Sequence, residues 1–236
     1  LELKWDPSTR GGEGSYVAPL RDPANVTSET SSATRYPTLG HPPADGQITP
    51  EIADARQFEE RLQRTDREGG FLTLLVNPRH YQRAAREIQK RFDIELIDLE
   101  GVFIDALREQ AEKARVNWDL VLQTDAQPGT NDWNRLLMLV RRAMPQVEEQ
   151  LTTPSKTALV IYPGLLARYD QMDLLQRLRD QVGRRDGIHG LWLLIPNDTH
   201  AAMDGRAVPI TGQAQRVRIP ESWLQNAHGA NGYKAV

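Results

Sequence analysis

The polar residues best placed to do chemistry stand directly after short apolar runs. Asn77 and Arg79 follow "FLTLLV" (71–76). Tyr162, Gly164 and Arg168 close or follow "TALVIY" (157–162). Asn197, Asp198 and His200 follow "GLWLLIP" (190–196). An apolar run of this length that stops at a turn and leads into a helical pattern reads as a buried parallel strand. Ligands of open α/β sheets lie at the carboxyl ends of such strands. Asn, Asp, Arg and His can position a nucleotide or an attacking water there, although the same residues more often cap helices and close turns. Asn77, Arg79, Arg168, Asn197, Asp198 and His200 are therefore the candidate ligand-binding residues.

Nucleotide hydrolysis makes the most specific demands on these positions. A phosphate-binding loop needs glycines whose backbone N–H groups cradle the phosphates, a Lys for the β/γ charge, and Ser or Thr for magnesium. The stretch "VNPRHYQRA" (76–84) has none of these, and Pro78 removes a backbone donor. The run at 157–162 ends in Tyr162-Pro163-Gly164, with no carboxylate to hold a metal. Asn197 occupies a place suited to a polar sensor of a nucleotide. The expectation is a P-loop-like shape without hydrolytic machinery.

Other catalytic sets are missing from the letters. The five histidines (His41, His80, His189, His200 and His228) form no HExxH pair, and no GxSxG elbow occurs. Kinase signatures are absent: there is no VAIK, HRD or DFG. With no cysteine there is no thiol nucleophile, no disulfide framework and no thiolate zinc site. The expectation is a chain with no catalytic residues, metal or cofactor. Arg83, Arg86, Lys90 and Arg91 make a basic helix edge interrupted by Glu87, which reads as a solvated face before it reads as a DNA-binding stripe.

The elements that must position the strand-end residues can be read from periodicity. Residues 1–48, rich in Pro, Gly, Ser and Thr, read as an extended arm, a linker or the end of an upstream domain, and residues 49–236 as one α/β domain. Thr49-Pro50 starts a helix with Ile52, Ala55, Phe58 and Leu62 at helical spacing, ended by Gly69-Gly70. A second helix places Tyr81, Ala84, Ala85 and Ile88 on one face. A further strand, "IELIDL" (94–99), leads into a helix with Val102, Phe103, Ala106, Leu107 and Ala114 inward. "NWDLVLQTDA" adds a short helical segment. Residues 131–151 form a long helix with Trp133, Leu136, Leu137, Val140, Met144, Val147 and Leu151 on its buried stripe, and Pro145 is expected to kink or break it.

Asp170 is expected to cap the helix that carries Met172, Leu175, Leu178 and Val182, with Asp173 completing an approximate capping box. "RAVPI" (206–210) and "QRVRIP" (215–220) read as a closing hairpin, and "ESWLQN" as a last helical turn. Strands alternating with helices predict a mostly parallel sheet covered on both faces, with the runs at 71–76, 94–99, 157–162 and 190–195 adjacent in its centre.

Composition sets the outer limits. Hydrophobic residues make up 39% of 236, enough for a core, while the net charge of −3 argues against a dedicated nucleic-acid surface. Arg outnumbers Lys by 24 to 5, which fits a GC-rich coding bias before it fits phosphate recognition. No run approaches the roughly 20 apolar residues of a membrane span. "LELKWDPSTR" carries no signal-peptide pattern and no initiator Met. The chain is thus expected to be cytoplasmic, away from membranes, and a piece of a longer protein.

The phrases "GGFLTLLVNPRHYQRAAREI", "IDALREQAEKARVNWDLVLQTDAQPGTNDWNRLLMLVRRAMPQVEEQL", "LLARYDQMDLLQRLRD", "LWLLIPNDTHAAMDGRAVPI" and "ESWLQNAH" resemble the C-terminal region of the PglW family. These are the large serine/threonine protein kinases of type 2 BREX (phage growth limitation) bacteriophage-defence systems. The strand order and the closing "DGRAVPI" are also similar to BrxB, a small BREX family without known catalytic motifs. The kinase residues of the PglW family have no matching positions here. What the resemblance implies is a non-catalytic assembly or regulatory module of a defence kinase, partnered by other BREX components or by upstream domains of the same protein.

Two rivals stand beside it: a degenerate nucleotide-binding or ATPase domain using Asn77, Arg79 and Asn197, and a nucleic-acid-binding module using the Arg-rich edges. For an assembly role, the section from Asp204 to Trp223 is the candidate docking face. Arg206, Arg216, Arg218 and Trp223 are its interface residues, with Pro209 and Pro220 as further edge guards. Trp223 is either exposed there as an anchor or buried as part of the core.

Overall fold

A computed structural model describes residues 49–184, 187–197, 199–209 and 212–226. The arm expected over 1–48 lies outside the described residues, and so do Asp198 and the tail after Asn226. Helix α1 (Pro50–Glu68) leads into β1 (Phe71–Leu75). A short 3₁₀ turn (Pro78–His80) follows and runs into α2 (Tyr81–Arg91). Next come β2 (Glu95–Asp98), α3 (Leu99–Lys113), α4 (Trp118–Asp125), α5 (Asn131–Thr152) and β3 (Ala158–Ile161). The chain continues through α6 (Gly164–Arg168), α7 (Asp173–Gln181), β4 (Leu191–Ile195), β5 (Ala202–Met203) and β6 (Arg206–Ala207). It closes with β7 (Arg216–Arg218) and α8 (Glu221–Leu224).

Five strands form one parallel sheet in the order β2-β3-β4-β1-β7. The four apolar runs identified in the sequence are adjacent strands of this sheet, as expected, but β2 stands at its edge and not in its centre, with Glu95 and Asp98 exposed. Period-two alternation sorts their side chains between two layers of helices. Phe71, Leu75, Ile97, Val160, Leu191, Leu193 and Ile195 face α3, α4, α5, α6 and α7. Leu72, Leu74, Leu159, Ile161, Trp192 and Leu194 face α1, α2 and α8. Strands buried on both faces carry apolar residues at nearly every position, which is why they appeared as continuous runs.

This layering determines where the chain leaves the sheet. After β1 it crosses to β2 through α2, on the α1/α2/α8 face. After β4 it crosses to β7 through Met203 and Val208, which pack on the other face. The neighbouring strands β1 and β4 therefore send their connections to opposite sides, opening a crevice at their carboxyl ends.

Several boundaries differ from the sequence reading. The expected pairing of "RAVPI" with "QRVRIP" does not form. β6 instead pairs antiparallel with β5, and β7 joins the main sheet as an edge strand parallel to β1. The cause is Asp204-Gly205: both residues are left-handed (φ 45° and 76°), as a two-residue hairpin turn requires, so the chain reverses before Arg206.

Asp170 does not cap α7, whose N-cap is Met172 without a side-chain bond. Asp170 ends α6 instead, in the left-handed conformation (φ 60°). Its N–H donates to the carbonyl of Ala167, and that of Gln171 to the carbonyl of Leu166, the two bonds of a Schellman ending. Ala114 lies past the end of α3 and is exposed, and Ala111 takes the buried position. Pro145 does not end α5, which runs from Asn131 to Thr152 with Pro145 on its exposed side.

Candidate functional site

The crevice between β1 and β4 opens into a cleft of about 750 Å³. It is lined by the loop after β1, the β3–α6 junction, the start of α3 and the β4–β5 region. Asn77 shapes the first of these loops. Its Oδ1 accepts the backbone N–H of Arg79 at 3.0 Å, and the carbonyl of Asn77 takes that of His80 at 2.8 Å. With Pro78 between them, the backbone donors at this turn are either missing or already used. Asn77 itself borders a second hollow, on the β7 side, with His80 and Arg218. The exposed guanidinium of Arg79 borders the main cleft and makes no ion pair among the described residues.

Two aromatic residues build the opposite wall. Tyr162 is left-handed (φ 53°), a conformation that a bulky residue seldom adopts. Tyr81 holds it there: the N–H of Tyr162 donates to the Tyr81 hydroxyl at 2.8 Å, and that hydroxyl donates to the carbonyl of Leu194 at 3.2 Å. The two rings lie 5.2 Å apart. Burial pushes the Tyr81 phenol well above its ordinary pKa, so it remains a neutral donor.

Arg168 is spent on structure, and so is the Oδ1 of Asn197. Arg168 Nε donates to Asp125 Oδ1 and Nη2 to the Asp125 carbonyl, each at 2.9 Å, tying the end of α4 to α6. The bond to the Asp125 carboxylate raises its pKa further above an already high value. Tyr169 donates to the same carboxylate at 2.8 Å, and burial, reinforced by that bond, pushes its phenol up to about 12. Asn197 Oδ1 accepts the N–H groups of Thr199 and His200, both at 2.9 Å, which closes the turn after β4. His200 takes part through its backbone and does not border the cleft. The structure thus brings Arg79, Arg168 and Asn197 together at one cleft and leaves Asn77 and His200 outside it.

Gln82, Glu100, Tyr81 and Asp204 also border the cleft and were not among the sequence candidates. Tyr81 carries the helical spacing of a core residue, and nothing in that spacing marks its hydroxyl as a tie between two strand ends. Gln82 and Glu100 sit in the first turns of α2 and α3, the helices that follow β1 and β2. Their distance from a strand end was the one available signal.

The expected docking face divides in the same way. Trp223 is fully buried. Its ring packs edge-on to Phe58 at 5.0 Å, Arg91 lies 4.1 Å above it, and its Nε1 donates to Glu59. Of the two alternatives, the core placement is the one observed. Arg206 pairs with Asp170, whereas Arg216 and Arg218 stand on the edge strand β7. Part of the basic edge of α2 is also committed. Arg83 donates to the carbonyl of Leu224 at 3.0 Å and Arg91 to that of Trp223 at 3.1 Å, clamping α8.

No helix among the described residues is long and apolar enough to cross a membrane. No family model matches the chain, and no solved structure matches it. Among curated proteins, the chain is similar to the probable kinase PglW of Streptomyces coelicolor (strain ATCC BAA-471 / A3(2) / M145), with 29% identity over 220 residues. That match covers 87% of this chain, which spans only 13% of the length of its relative.

Proposed function

We propose that this chain is a non-catalytic assembly or regulatory module of a PglW-like serine/threonine kinase in a type 2 BREX phage-defence system. The similarity to a probable kinase supports the parentage, since it takes in most of this chain and a small part of a much larger relative. The observation that carries the non-catalytic reading is the turn after β1. The parallel sheet leaves a crevice at the carboxyl ends of its strands, where open α/β sheets take ligands, yet Asn77 and Pro78 leave the turn there without free backbone donors for a phosphate chain. At the end of β3 the position facing the crevice is Tyr162, which offers no carboxylate for magnesium. The partners are other components of the defence system or the remaining domains of the same protein.

Incubation of the purified chain with magnesium and radiolabelled ATP tests the catalytic half of the reading. No phosphate release and no labelled protein is the expected result. Turnover that persists through purification and disappears in Asn197→Ala would overturn it and favour an unorthodox ATPase.

A further inference from the structure

The cleft at the β1/β4 crevice has a composition that selects among ligands. Tyr162 presents a half-buried ring held in a left-handed backbone by the Tyr81 hydroxyl. A non-glycine residue maintained in that conformation at a strand end is the kind of local strain that surrounding structure must enforce, and it clusters at ligand sites. Arg79 supplies a guanidinium with no carboxylate partner among the described residues. Gln82 supplies a side-chain amide, and Asn197, whose Oδ1 is taken by the turn, keeps its Nδ2 donors. The volume of about 750 Å³ lies within the range that encloses a small organic ligand.

Charge limits the anion that fits. Arg168 also borders the cleft, but Asp125 already neutralises it. Glu100 and Asp204 line the same space. Among the described residues, one unpaired guanidinium stands against the carboxylates of Glu100 and Asp204, which accommodates a single phosphate and disfavours a triphosphate, whose added charges would face those carboxylates. An aromatic ring to stack on, amides to read a heterocycle edge and one guanidinium for one anionic group together describe a nucleotide with a short phosphate.

We propose that this cleft binds a nucleoside monophosphate, without metal and without turnover. The base stacks against Tyr162, the phosphate pairs with Arg79, and Gln82 and Asn197 donate to the heterocycle or the sugar. The proposal is independent of the assembly reading, which uses none of these four residues as a contact to a protein partner.

Calorimetric titration of the intact chain with each of the four common ribonucleoside monophosphates tests it. The matching nucleosides, inorganic phosphate and magnesium-ATP serve as comparisons. At least one monophosphate should bind saturably, with its nucleoside and free phosphate each weaker by about tenfold or more, and with the triphosphate no tighter. Arg79→Ala, at an exposed position whose side chain makes no hydrogen bond or ion pair among the described residues, should lower affinity for the monophosphate to that of the nucleoside. Tyr162→Gly, which relieves the left-handed backbone while keeping the N–H that bonds Tyr81, should weaken nucleoside and nucleotide alike. Absence of saturable binding by all four monophosphates overturns the proposal. So does binding that both variants leave unchanged, or a clear preference for magnesium-ATP. None of those three results bears on whether the chain docks a protein.

Discussion

Trp223 joins three elements through one side chain. It packs against Phe58 of α1, lies under Arg91 of α2 and anchors the four-residue helix α8. A helix that short has no stability of its own, so its position depends on this contact. Trp223→Ala should therefore destabilise the domain by roughly 3–5 kcal/mol, the usual cost of truncating a large buried aromatic residue. Chemical denaturation followed by far-UV dichroism reads the change, and a loss below about 1 kcal/mol would show that the indole is not part of the core.

At this scale the sequence was least informative. Arg168 and Asn197 have the right chemistry at the right strand ends, yet Asp125 occupies the first and a turn the second. Asp125 lies 43 residues before Arg168, and only the fold shows that they meet. The same holds for Trp223, whose type fits an interface and a core equally well.

Elements were far more legible, because hydrophobic burial imposes a period. The three central strands β1, β3 and β4 are buried on both faces and stood out as apolar runs, and the stripes of α1, α2 and α5 followed helical spacing. Errors fell where a local backbone preference outweighed pattern. Asp170 and Asp173 have the spacing of a capping box, but the left-handed ending of α6 claimed Asp170 first. Alternation in "RAVPI" promised a partner in "QRVRIP", but the Asp204-Gly205 turn paired β6 backwards and freed β7 to extend the main sheet.

Pro145 is the clearest conflict between letter and element. It sits inside α5 on the exposed side, where it removes a backbone donor that the helix would otherwise use. The buried stripe on either side, Val140, Ala143, Met144 and Val147, holds the helix through the defect. Pro145→Ala restores the donor without adding a buried atom and should stabilise the domain by about 1–3 kcal/mol. A rise in the denaturation midpoint at constant slope is the expected readout. A fall would mean that the ring is needed where it stands.

The described residues form an α/β layer structure, a parallel sheet between two layers of helices with a crevice at its carboxyl ends. Its crevice lies where such folds bind ligands, while the turn that would grip a phosphate chain is closed by Asn77 and Pro78. Among the described residues the sheet ends on one side in β7, carrying Arg216 and Arg218, and on the other in β2, with Glu95 and Asp98 exposed. Sheet edges with unpaired backbone groups are places where another chain can add, and charge there sets which chain it is.

The central claim is that such docking, and no reaction, is what the module contributes. The most direct test mixes the purified chain with the purified remainder of a PglW-like kinase, and separately with each other product of its defence operon. Size-exclusion chromatography with light scattering then reads the mass of each mixture. A discrete complex of fixed stoichiometry with at least one of them is the predicted result. A chain that elutes unbound beside every one of them, at concentrations well above those in a cell, would contradict the assembly reading.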